Sequence, residues 1–263
     1  MRRWAYLDHP GPLAFAHRGG AADAPENTML SFERAVDLGY RYLETDVRTT
    51  SDGVLLTFHD EVLDRVTEMT GKLCELPWSE VSKARIHGQP IPRLDEVLAA
   101  WPDARVNIDA KEDGAVAPLV EVIERAGAHD RVCVAAFSDP RLRRFRRLSG
   151  GKVCTAMGPR TIARLKGAGY RAPTGPFAAG CVQVPLYHGR IRVVDRRFVA
   201  AAHRRGIHVH VWTIDEPAEM DRLLDLGVDG IMTDRPVALR DVLVRRGQWV
   251  GRGDDAPDPG GHN

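Results

Sequence analysis

Short apolar runs alternate along the chain with longer segments whose apolar positions recur at helical spacing, the pattern of strand followed by helix. The run Leu13-Ala14-Phe15-Ala16 reads as a buried strand that ends in the Gly-rich turn His17-Arg18-Gly19-Gly20. Pro25-Glu26-Asn27-Thr28 is a helix-start signal, with Asn27 or Thr28 as the cap of a helix that ends near Gly39. Residues 40–47 read as a second strand. Ser51-Asp52-Gly53 then turns the chain into Val54-Leu55-Leu56-Thr57-Phe58, which delivers His59-Asp60. Residues 61–90 form an irregular excursion with a short helical piece near Pro77-Trp78-Ser79-Glu80. Beyond it, helices are predicted at 92–101, 115–126, 140–148, 161–167, 194–205, 217–226 and 237–246. The strands between them are predicted at 105–111, 132–136, 152–156, 181–184, 207–213 and 230–233.

About eight β/α alternations predict one closed (β/α)8 TIM barrel over residues 12–246. Residues 1–11 read as a surface lead-in, and the Gly, Asp and Pro-rich residues 247–263 as a disordered tail. A length of 263 residues with 43% hydrophobic content suits a single large core. A doubly wound open sheet would need a glycine fingerprint opening the first helix, which Gly19-Gly20-Ala21 does not supply.

Lys+Arg 37 balance Asp+Glu 36, and no block of like charge reaches the length of a nucleic-acid-binding tail. The densest basic run, residues 141–147, carries apolar residues at helical spacing and reads as a solvated helix face, with a membrane-surface role as the alternative. Cys74, Cys133, Cys154 and Cys181 have no close metal-type spacing. Three of them lie in apolar runs, where a free thiol acts as a small core residue, so a disulfide framework is not expected. No apolar stretch suits a secretion signal or a membrane span, so the expectation is a cytoplasmic protein without stable membrane insertion.

Barrel enzymes do their chemistry at the C-terminal ends of the strands, where this chain places its candidate groups. Glu44 and Asp46, two apart on one strand, project from the same face. Joined by Asp109, they would offer three oxygen ligands to a hard divalent cation, Mg²⁺ or Ca²⁺. The spacing is equally compatible with a structural pair held by Arg48 or Lys111. His17 and His59 are imidazoles, the side chain best suited to proton transfer near neutral pH, although lone histidines are more often structural. His208 and His210, below Trp212 on the same strand face, are expected to pack in the core. Gln183 ends another strand, where contact with substrate and a structural role both remain open.

The ordered set His17-Arg18-Gly19, Pro25-Glu26-Asn27-Thr28, Glu44-x-Asp46, Asp52-Gly53 with His59-Asp60, Ile91-Pro92-Arg93-Leu94-Asp95-Glu96-Val97-Leu98, Trp212-Thr213 and Gly227-Val228-Asp229-Gly230-Ile231-Met232-Thr233-Asp234 resembles the glycerophosphodiester phosphodiesterases. The likeness runs from about Leu13 to about Arg245 and is nearest to the short, single-domain bacterial type. It implies a phospholipase-C-like phosphodiesterase barrel that hydrolyses glycerophosphodiesters to an alcohol and glycerol 3-phosphate with a divalent cation. It further implies His17 and His59 as acid and base, and Glu44, Asp46 and Asp109 as metal ligands. Arg18 and Lys111 would contact phosphate, Trp212 would wall the pocket, and Glu26 would support the site. Asp60, beside His59, could orient an imidazole through the ring nitrogen not in use, or its side chain could face the other way.

One position departs from the family pattern: the usual Glu-x-Lys is Asp109-Ala110-Lys111, as in the related spider-venom sphingomyelinase D enzymes. A lysophospholipase D or sphingomyelinase-D-like activity is therefore the alternative, with Leu73, Leu76 and Trp78 as a modest apolar rim. A non-catalytic barrel that binds phosphorylated ligands is the alternative of another class. It would not need two imidazoles beside three carboxylates.

Overall fold

Eight parallel strands, each followed by a helix, close the predicted barrel in a computed structural model that describes residues 4–169 and 175–252. The strands are β1 Leu13–Ala16, β2 Tyr42–Thr49, β3 Arg105–Ala110, β4 Val132–Ala135, β5 Cys154–Thr155, β6 Cys181–Pro185, β7 His208–Trp212 and β8 Gly230–Thr233. The helices are α1 Met29–Asp37, α2 Leu94–Ala100, α3 Val116–Arg125, α4 Asp139–Leu148, α5 Pro159–Ala168, α6 Arg196–His203, α7 Pro217–Leu226 and α8 Pro236–Arg245. Hydrogen-bonded neighbours run β5-β4-β3-β2-β1-β8-β7-β6, and the bridge between Ala156 and Cys181 joins the two ends. A short strand, Leu55–Thr57, pairs antiparallel with the far end of β2 and carries the chain toward His59.

Local chemistry sets where the helices begin. Thr28 caps α1 in a reciprocal box with Ser31, which decides between the two predicted cap residues. Ser138 caps α4 and Asp195 caps α6, whereas α5, α7 and α8 each open with proline, whose missing N–H costs nothing there. One apolar layer lies between strands and helices. Another fills the barrel interior with Leu13, Phe15, Tyr42, Met232 and the three buried cysteines.

Both predicted ends of the domain need correction. The lead-in is not a surface segment: Tyr6 and Leu7 are buried, and Tyr42 and Arg105 tie the Tyr6 carbonyl to the barrel floor. Residues 247–252 also pack. Trp249 meets Tyr40 edge-on, and Arg41 donates to the Gly251 carbonyl at 2.6 Å. The rest of the predicted disordered tail, 253–263, lies outside the described residues.

The basic helix α4 is tied to the barrel rather than merely solvated. Arg141 and Arg144 bind at Asp113, and Arg146 donates to Thr155 and to the Ala156 carbonyl. The proposed apolar rim is absent as well. Leu73 is fully buried, and Leu76 and Trp78 pack onto the excursion's own core around Phe58, Leu63 and Ile86. No helix among the described residues is long and apolar enough to cross a membrane.

Candidate active site

The turn after β1 is built for close approach. Gly19 and Gly20 have φ of 82° and 100°, and a Cβ on Gly19 would lie 2.3 Å from the Ser31 hydroxyl. Arg18 itself sits at φ 50°, a region sparsely used by non-glycine residues, and this aims its backbone N–H at Glu44 Oε2, 3.0 Å away. Its guanidinium then spans two carboxylates, 3.0 Å from Glu26 Oε1 and 3.2 Å from Asp46 Oδ2.

Glu44 and Asp46 project together from β2 and are buried, as their spacing predicts. Asp46 is in register with Asp109 on β3, and Lys111 joins the pair, with Nζ 2.8 Å from Asp46 and 2.6 Å from Asp109. Asn27 donates a further 3.0 Å bond to Asp46 Oδ2. Burial opposes the Asp46 charge, but Lys111, Arg18 and His59 outweigh it and hold the carboxyl below its ordinary range. Glu44 has no comparable partner. Burial and the Asp46 charge push its pKa up to about 7.

Both histidines carry a carboxylate behind the ring. His17 Nδ1 lies 2.6 Å from Asp234 Oδ1 at the end of β8, and its Nε2 is 3.8 Å from Glu44. Burial disfavours the imidazolium, yet Glu44 and Asp234 outweigh it and raise the His17 pKa. His59 Nδ1 lies 2.5 Å from Asp60 Oδ1, so Asp60 does face the ring. Asp60 is held in turn by Arg65, which also makes a two-pronged contact with Glu26.

The structure thus gathers seven of the eight predicted residues, His17, Arg18, Glu44, Asp46, His59, Asp109 and Lys111, into one polar assembly at the strand ends. Trp212, the eighth, stands on its rim, half-buried against the exposed ring of Phe137 at 5.7 Å. Gln183 turns inward and donates to Asn107 at 2.7 Å, and His210 is fully buried against Phe15, so both belong to the core.

The donor set suits a hard cation, although its atoms do not converge as ligands of one ion: the three carboxylates are not drawn within 4.8 Å of one another. Lys111 stands between Asp46 and Asp109. Two observations nevertheless favour an additional positive charge. Asp109 Oδ1 is buried with no hydrogen-bond partner. Among the described residues the six carboxylates Glu26, Glu44, Asp46, Asp60, Asp109 and Asp234 pair with three fixed cations, Arg18, Arg65 and Lys111, an excess of three negative charges (6 − 3) when Glu44 is ionised and before either imidazole is protonated, while the neighbouring Arg48–Glu112 pair is neutral. A phosphodiester anion entering that field needs a countercharge.

Residues 17–238 match the glycerophosphoryl diester phosphodiesterase family. The chain belongs to that family. It is accordingly an enzyme, a phosphoric diester hydrolase. A relative from Mycobacterium tuberculosis described as "Probable glycerophosphodiester phosphodiesterase 2" is 44% identical over 253 residues, covering 94% of this chain and 96% of the relative.

The family's barrel is also evident in solved structures. One, from Silicibacter pomeroyi, is described as a "Putative glycerophosphoryl diester phosphodiesterase" and has a TM-score of 0.78 at 24% identity, covering 94% of this chain and all of that one. Another is an Oleispira antarctica phosphodiesterase solved with its product sn-glycerol-3-phosphate, with a TM-score of 0.76 at 22% identity, covering 89% and 97%.

Asp234, Arg65 and Phe137 join the site in addition to the residues the sequence singles out. Asp234 carried a signal, since it closes the Gly230–Thr233 strand as His17 closes β1. Arg65 and Phe137 sit in loops whose course no periodicity reveals.

Proposed function

We propose that this phosphodiesterase hydrolyses glycerophosphodiesters to an alcohol and glycerol 3-phosphate, with Mg²⁺ or Ca²⁺ held by Glu44, Asp46 and Asp109. The observation that carries the reading is the pairing of two carboxylate-backed imidazoles with Arg18 and Lys111 around Asp46. When bound, the cation would draw charge from a non-bridging phosphate oxygen. Lys111 and Arg18, already beside Asp46, would exchange part of their contact with it for the phosphate, Arg18 as a fork of donors and Lys111 as a point charge.

With Asp234 and Asp60 occupying the two Nδ1 atoms, each ring presents Nε2 to the substrate. One imidazole would take the proton of the attacking oxygen, whether of water or of the glycerol 2-hydroxyl, and the other would give a proton to the leaving alkoxide. The two rings have then exchanged protonation states, and proton exchange with solvent, or the reversed roles in water attack on the cyclic phosphate, returns them to the start. Trp212 and Phe137 offer an apolar wall for the glycerol carbons or the leaving group. The Oleispira enzyme's bound product supports the same choice of leaving side.

Lysophospholipids are a second reading, favoured by a different rim from the expected one. Phe137, Tyr187 and Ile191, beyond the ends of β4 and β6, are 67%, 52% and 65% exposed. A panel of glycerophosphocholine, glycerophosphoethanolamine and lysophospholipids, assayed with Mg²⁺, Ca²⁺ or chelator, separates these readings. Metal-dependent release of glycerol 3-phosphate is expected; turnover of lysophospholipids alone would transfer the assignment.

A further inference from the structure

A second cluster of potential ligands lies lower in the barrel. Cys133 on β4, Cys154 on β5 and Cys181 on β6 are buried, and their three sulfur atoms all lie within 4.8 Å of one another. Cys133 is in register with Cys154, and Cys181 makes the bridge that closes the barrel, so residues separated by 21 and 27 positions arrive side by side. The Cys133 and Cys181 sulfurs are 3.7 Å apart. That is far beyond a disulfide bond of about 2.05 Å. It matches the edge, about 3.8 Å, of a tetrahedron of sulfurs each about 2.3 Å from zinc.

The surroundings are not those of plain apolar thiols. Tyr6 Oη and His208 Nδ1 are buried beside the cluster without hydrogen-bond partners, and His208 is in register with Cys181. Arg146, bonded to Thr155 Oγ1 at 2.7 Å and to the Ala156 carbonyl at 3.0 Å, lays a positive charge near all three sulfurs.

We propose that Cys133, Cys154 and Cys181 form a binding site for a thiophilic metal ion, Zn²⁺ foremost, with His208 able to complete a tetrahedron. Each coordinating thiol gives its proton to solvent as the ion binds. The position gives the ion a structural task. β5 is two residues long and meets β6 through a single bridge, so a metal shared by Cys154 and Cys181 staples the weakest seam of the barrel. Because the sulfurs are inaccessible in the closed barrel, the ion enters as the chain folds.

The test uses the full chain with Cys74→Ser, which removes the exposed thiol outside the cluster and should leave basal activity unchanged. The protein is unfolded with chelator and refolded with Co²⁺ or Zn²⁺. One Co²⁺ per chain should give sulfur-to-cobalt charge-transfer absorption, which a carboxylate site cannot produce, and Zn²⁺ should abolish it by displacement. Zn²⁺ should also raise Tm by several degrees. Adding Cys154→Ser should remove the absorption. Because that change can unfold the barrel, the titration of the Cys74→Ser chain is decisive alone. A refolded barrel that shows no charge-transfer band with excess Co²⁺, or whose Tm ignores Zn²⁺, would overturn the site.

Discussion

Asp234 Oδ1 lies 2.6 Å from His17 Nδ1, although the two residues are 217 positions apart, because β1 and β8 run side by side with Ala16 in register with Thr233. The carboxylate fixes the ring orientation and favours its charged form. Asp234→Asn should therefore lower kcat by about 10–100-fold, less than the roughly 10²–10⁴-fold expected for His17→Ala. Steady-state assays of both variants check the order. An Asp234→Asn enzyme with normal kcat would make this contact incidental.

The chain of contacts His59–Asp60–Arg65–Glu26–Arg18 links the second imidazole to the first turn. Arg65 is half-exposed, so its ion pairs should add at most about 1 kcal/mol to stability. Arg65→Ala should leave Tm nearly unchanged while reducing kcat/KM by about tenfold, since Asp60 and Glu26 both lose an anchor. A large fall in Tm with unaltered kinetics would assign Arg65 to the fold alone.

Asp109 is the ligand candidate whose Oδ1 is buried without a hydrogen-bond partner. Asp109→Asn keeps its shape and removes its charge. Calorimetric titration should show weaker Mg²⁺ or Ca²⁺ binding, and raising the ion concentration should restore part of the lost activity. Wild-type affinity in this variant would leave Glu44 and Asp46 to hold the ion without it.

A stability prediction follows from Asp139, which begins α4 yet caps α5. It accepts bonds from the Arg160 and Thr161 backbone N–H groups and from the Thr161 hydroxyl. Gly158 makes room, since a Cβ there would sit 2.6 Å from the Asp139 carboxyl carbon. Burial would raise this carboxyl's pKa, but those bonds lower it. A folded pKa below the unfolded value, about 3.9, places the stabilisation above that pH and removes it as pH falls. Asp139→Ala should cost about 1–2 kcal/mol at neutral pH, and the difference should shrink as the pH drops below about 4. Urea unfolding at both pH values measures it; a constant difference would show that the charge is irrelevant.

The barrel was legible because its strands are short apolar runs and its helices carry a 3.6-residue stripe, signals that are local. The facing of Glu44 and Asp46 was legible for the same reason, as was that of Asp109 and Lys111. What strand register brings together was not. Asp234 behind His17 and the three clustered cysteines depend on which strands become neighbours, and spacing along the chain contains no trace of that. The packed lead-in was missed because Tyr6 and Leu7 plug the barrel from outside any periodic element.

In the proposed reaction the assembly around Asp46 cleaves a glycerophosphodiester on the alcohol side through His17 and His59. Phosphorus NMR can follow glycerophosphocholine turnover by the wild-type, His17→Ala and His59→Ala enzymes, with Mg²⁺ or Ca²⁺ and with chelator. The expected result is glycerol 3-phosphate as the sole new phosphorus species, lost with chelator and slowed about 10²–10⁴-fold in each variant. Phosphocholine as the product, or undiminished turnover in either histidine variant, would contradict it.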